Sequence, residues 1–117
     1  MKFEHYNPVE EKGGCIYRSF SKFFDKDYNL IKKEIKELQK KLGKEDIYEL
    51  YLNQNNVYDI NEGYKGKIKD YKNTGKSIIY CYDKKDFYHM VAIIDDILYD
   101  KNEDSLDLYV LQVFKEV

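Results

Sequence analysis

The sequence predicts an α+β domain, and three observations carry that reading. Apolar residues recur at helical spacing through the first half of the chain, apolar runs of strand length fill the part after Gly63, and 117 residues suffice for one hydrophobic core and no second domain. Helices first and antiparallel strands second point to N-terminal helices packed on a C-terminal antiparallel sheet, rather than to a parallel α/β sheet, in one domain over residues 1–117.

The opening stretch to Lys12 is polar and holds the turn signal Asn7-Pro8. Gly13-Gly14 precedes a helix from Cys15 to about Asp25, with Ile16, Phe20, Phe23 and Phe24 at i, i+4, i+7 and i+8. A second helix is capped by Asp27, buries a stripe of Leu30, Ile31, Ile35, Leu38 and Leu42, and stops at Gly43. A short third helix covers about Glu45 to Leu52. Asn53 to Asn61 reads as an Asn-rich loop with Val57 and Tyr58 inside it. Strands follow at 77–82, at 87–94, at 97–100 and at 108–114, with Asp95-Asp96 as the hairpin turn between the second and third of these.

Composition narrows the function classes. With 20 basic and 22 acidic residues interspersed along the chain, the net charge is −2 and no basic block forms a nucleic-acid footprint. The segment Lys65–Lys76, with its interleaved tyrosines, is the one stretch suited to such binding, which would be strongly salt-dependent. No apolar run approaches the roughly 18 residues a membrane span needs, and residues 1–5 hold no signal-peptide core, so a bacterial or phage-infected cytoplasm is the expected location. Two cysteines in that setting read as thiols. So few Cys and His argue against a structural zinc site, and no cofactor is expected. The 13 Tyr, the absence of Trp and the single Pro fit the coding bias of an AT-rich genome.

Cys15 opens a helix, where free N–H groups and the positive end of the macrodipole favour a thiolate. Such positions bring a thiol from about 8.5 to roughly 3.5–7.5. A nucleophile also needs a base, and the chain has two histidines. A two-residue turn at Asp95-Asp96 pairs Ile94 with Ile97 and brings Val91 opposite Asp100, which makes His89 and Asp100 diagonal neighbours on one face. A carboxylate there can hold the imidazole and stabilise its cation. The plainer readings are that Cys15 is a small buried residue, that His89 fills surface or core, and that Asp100 ends a strand. Cys81, in mid-strand, reads as packing, and His5 reads as incidental.

Two blocks resemble small papain-like cysteine-peptidase proteins of phages and low-GC bacteria. The first is Tyr6-Asn7-Pro8 followed by Gly13-Gly14-Cys15-Ile16-Tyr17-Arg18 and the helix start Asp25-Lys26-Asp27-Tyr28. The second runs from Tyr88-His89 through the Asp95-Asp96 turn to Tyr99-Asp100. The likeness spans about residues 6 to 105. It implies a papain-like fold in which Cys15 is the nucleophile, His89 the general base and Asp100 the orienting acid, with Arg18 in support. Gly14 stands where that family usually has Asp, and Asp96 where its turn usually has Gly. No Gln lies upstream of Cys15, which leaves Asn7 as the one upstream amide for an oxyanion, beside the Cys15 backbone N–H. Loss of one such donor costs about 10²–10³ in rate.

The resemblance therefore implies hydrolysis or acyl transfer on an amide, with a peptide or protein as substrate and with specificity resting on loops such as 53–76. The alternative is a catalytically degenerate binding protein on the same scaffold, encoded by a phage to block a host defence or regulatory protein. The sequence is silent on oligomeric state.

Overall fold

A computed structural model describes residues 1–117. Three helices and a six-stranded mixed sheet form a compact α+β arrangement. The strands are β1 (Lys2–His5), β2 (Val57–Asp59), β3 (Lys76–Tyr82), β4 (Tyr88–Ile94), β5 (Ile97–Asp100) and β6 (Tyr109–Glu116), and their order in the sheet is β1-β5-β4-β3-β6-β2. The helices are α1 (Cys15–Phe24), α2 (Tyr28–Leu42) and α3 (Tyr48–Gln54).

The hairpin forms in the expected register. Ile94 pairs with Ile97, Ile93 with Leu98 and Ala92 with Tyr99. Asp95 and Asp96 sit at φ 51° and 65°, the left-handed pair that a two-residue turn between right-twisted strands requires. Side chains of β3, β4 and β6 alternate between two apolar clusters. Ile78, Met90, Ala92 and Phe114 face the helices. Ile79, Val91, Ile93, Leu98 and Val113 form the second cluster with Ile68 and Tyr71. Helix α1 lies against β4 and under α2, so it is buried on most sides, with Phe20 and Phe23 at its centre. Asp27 caps α2 by accepting from the N–H groups of Asn29 (2.9 Å) and Leu30 (3.2 Å), and Gly43 ends it at φ 64°. A cap of this kind is worth about 1 kcal/mol.

Several expectations are corrected. The sheet is mixed rather than antiparallel, because β1 joins its edge parallel to β5, with His5 opposite Asp100. The stretch before Lys12 thus holds a strand. Only Phe3 of that strand packs against the core, which leaves no alternation for the sequence to display. His5 is held by this strand, and its Nδ1 contacts the Lys101 carbonyl at 3.1 Å. Val57 to Asp59 is also a strand, paired with β6, and not part of a loop. In α2 the buried stripe is Tyr28, Ile31 and Ile35, with Leu38 partly covered, whereas Leu30 and Leu42 are exposed because they lie off that face. The tyrosines of the Lys65–Lys76 region are packed: Tyr71 is buried in the second cluster, and the Tyr64 hydroxyl donates to the Lys67 carbonyl. Lys67 and Lys69 pair with Asp107. No helix is long and apolar enough to cross a membrane.

Candidate functional site

Gly13 and Gly14 turn the chain into α1. Gly13 adopts φ 73°, a left-handed value that a side chain resists. Gly14 is the N-cap, and a Cβ there would collide with the hydroxyl of Tyr28, which donates to Glu11. A bulkier residue at 14 thus meets an occupied position. No side chain caps the helix at Gly14, so the first-turn N–H groups around Cys15 keep their partial positive charge.

The pairing of β4 with β5 stops at Ala92 and Tyr99. His89 and Asp100 lie just past the last paired residues, and their side chains meet there, with His89 Nε2 2.7 Å from Asp100 Oδ2. Asp100 is buried, and every part of its carboxylate is engaged. Arg18, also buried, donates to Oδ1 at 2.9 Å, while Ser105 donates to Oδ2 alongside His89. Ser105 comes from a short 3-10 turn at Glu103–Asp107. With Nε2 committed to Asp100, Nδ1 is the ring nitrogen left free for a second partner. On the neighbouring strand β3, the buried Cys81 thiol donates to the His89 backbone carbonyl at 3.3 Å.

The electrostatics separate the two thiols. Burial acts to raise the Cys15 pKa, but the His89 hydrogen bond and charge, a backbone hydrogen bond at Met90 and the Arg18 charge outweigh it and bring the thiol below its ordinary value. Burial dominates at Cys81, the Asp100 and Cys15 charges add to it, and its pKa rises well above the ordinary value. For His89, burial opposes the cation, yet hydrogen bonds and charges from Asp100 and Cys15 carry its pKa up to about 9. Asp100 is held below the usual carboxylate range: burial works against ionisation, and the His89 hydrogen bond and charge together with Ser105 overcome it. This arrangement favours a thiolate beside an imidazolium.

Cys15 and His89 both line two adjoining surface hollows, one of about 370 Å³ and one of about 260 Å³. The structure therefore brings Cys15, His89, Asp100 and Arg18 together. Asn7 is the exception. Its NH2 donates to Glu10 Oε2 at 2.7 Å, its oxygen accepts from Arg18 Nε at 3.3 Å, and it lines neither hollow. Both ends of its amide are thus engaged away from the hollows, which does not fit the expected oxyanion role. The loops at 53–76 line neither hollow either. Asp46, Tyr48, Glu49 and Leu52, from α3 and the residues leading into it, line the larger one instead.

Sequence reasoning missed Ser105 and the α3 residues. Ser105 falls in an Asp-rich stretch with no periodicity, and the packing of α3 against the mouth of the hollow has no local signal. No group of three or more His, Cys, Asp or Glu side chains converges to hold a metal ion. No family model, curated protein or solved structure matches the chain.

Proposed function

We propose that the chain is a papain-like cysteine hydrolase or acyl transferase acting on an amide bond, with Cys15 as nucleophile, His89 as base and then acid, and Asp100 as the group that orients and charges the imidazole. The observation that carries this reading is that Cys15, at an uncapped helix N-terminus, lines the same two hollows as His89, whose imidazole Asp100 holds at 2.7 Å. The thiolate attacks the substrate carbonyl, and the Cys15 backbone N–H is the oxyanion donor available there. The imidazolium gives its proton to the leaving amine, and water, or an acceptor amine, then releases the acyl group with His89 as base. Arg18 supports the site from behind Asp100.

The test is alkylation by iodoacetamide from pH 5 to 9, followed at each cysteine by peptide mass. The expected result is labelling of Cys15 well below pH 8, no labelling of Cys81 in the folded protein, and loss of the low-pH reaction in His89→Ala. Equally slow labelling of both thiols, rising only near pH 9, would remove the proposal.

One observation favours a second reading, a binding protein on the same scaffold. Asn7 is committed elsewhere, so no upstream side chain serves the oxyanion, and Phe87 and Tyr88 stand about half exposed at the mouth of the hollows, as contact residues do. Slow, pH-insensitive labelling of Cys15 is the outcome that belongs to this reading.

A further inference from the structure

The larger hollow beside Cys15 combines aromatic walls with acidic residues, and His89, already paired with Asp100, is its one basic group. Its walls include the rings of Tyr48, Tyr80 and Tyr88, its rim carries the exposed carboxylates of Asp46 and Glu49, and no lysine or arginine lines it. Neither carboxylate takes part in an ion pair. The field of Asp46 reaches into the hollow: burial raises the Tyr48 and Tyr80 hydroxyls, and the Asp46 charge raises both further. Leu52 and Phe114 close the inner end with apolar surface.

An apolar slot with aromatic walls and two free carboxylates at its mouth suits a long aliphatic stem that ends in a cation. Burying the stem satisfies the apolar walls, the rings attract the cation through their faces, and the carboxylates supply the opposite charge. An acidic side chain would meet repulsion from both acids, and a neutral one would leave them unpaired. We infer that this hollow selects a lysine or arginine side chain of a peptide substrate, next to the carbonyl presented to Cys15, with Asp46 and Glu49 as the specificity residues. The inference rests on the cysteine-hydrolase reading above and adds the substrate class.

The test uses N-acetylated chloromethyl ketones of lysine, arginine, norleucine and glutamate as probes. In each, the Cys15 thiolate displaces chloride from the chloromethyl carbon, forming a C–S bond and releasing chloride, so labelling is read by intact mass without any need for turnover. Rates are divided by the iodoacetamide rate of the same protein. Two exposed ion pairs near the top of their usual range together give about tenfold. The lysine and arginine probes are therefore expected to react about tenfold faster than norleucine, with glutamate slowest. Asp46→Asn/Glu49→Gln, and 0.5 M salt for the parent protein, should each reduce that ratio towards one.

Equal rates for lysine and norleucine, or a cation preference that survives in the double variant, would overturn the inference while leaving the hydrolase reading intact. Uniformly slow reaction that includes iodoacetamide would remove that reading, and the inference with it.

Discussion

Replacing Asp100 by Asn tests the electrostatic core of the site with almost no change of shape. In the parent protein the His89 pKa stands at about 9 against an ordinary 6.5. A rise of about 2.5 units corresponds to roughly 3 kcal/mol in favour of the imidazolium. Asp100 supplies the first hydrogen bond and the first charge behind that rise, and Cys15 the second of each. Asp100→Asn keeps an acceptor for Arg18 and removes the charge, so the His89 pKa should fall by at least about one unit, which is about tenfold in the imidazolium population. The natural assay is a proton NMR titration of the imidazole Cε1–H signals. The chain has two histidines, and His5→Gln assigns the pair. The Cys15 alkylation rate at pH 6 should fall in parallel, because a weaker imidazolium holds less thiolate. If the variant stays folded by circular dichroism and the His89 signal titrates where it did before, the proposed coupling is wrong.

The same shifts fix the sign of the pH-dependent stability. His89 has a folded pKa above its unfolded value, so its contribution is complete below about pH 6.5 and lost as pH rises through about 9. Asp100 has a folded pKa below its unfolded value, so its contribution is complete above about pH 4 and lost as pH falls through the folded value. The parent protein should thus be most stable between those limits. Asp100→Asn should flatten both flanks of its denaturation midpoint against pH.

Two further outcomes concern Gly14 and Asp96. Gly14→Ala should destabilise by about 1–3 kcal/mol in urea titration, because its Cβ overlaps the Tyr28 hydroxyl, and Tyr28→Phe in the same chain should recover part of the loss. Asp96→Gly should raise the unfolding free energy by up to about 1 kcal/mol, since residue 96 sits at φ 65° and glycine adopts that value without a Cβ penalty. The ion pair it gives up, from the N-terminus at 3.7 Å, is half exposed and contributes little.

Much of this architecture is legible in the chain wherever a rule operates over a few residues. Asp27 and Gly43 bracket α2 because capping and left-handed stops are local events, and both lie where the sequence puts them. The hairpin register follows from counting outward from a two-residue turn. That count is also why the meeting of His89 and Asp100 can be anticipated. The edge strands are not legible. β1 and β2 each present little buried surface, and their pairing partners lie some fifty residues or more away, so neither alternation nor length marks them. Asn7 was legible as a residue of the site's surroundings but not in its role, which depends on Glu10 and Arg18 taking both ends of its amide. The buried face of α2 was overdrawn in the sequence because Leu30 and Leu42 are apolar without facing the core.

The placement of Arg18 lowers the cost of a thiolate in a buried site. A lone carboxylate behind His89 would leave the pocket with a net negative charge before any chemistry, and burial would work against a second anion on Cys15. Arg18, 2.9 Å from Asp100 and nearly as buried, cancels that charge. Proton transfer from Cys15 to His89 then changes a neutral group, guanidinium plus carboxylate with an uncharged thiol and imidazole, into another neutral group of two cations and two anions. The desolvation cost falls on moving one proton within the cluster and not on adding net charge to the interior. Opposite signs alternate along the line from Arg18 through Asp100 and His89 to Cys15, so each ion stabilises the next. Such a line of buried charge is a poor route to stability, since apolar side chains of the same volume would hold the fold as well or better. Its organisation around an accessible thiol is the strongest physical reason to regard the cluster as a reactive site and not as a structural one.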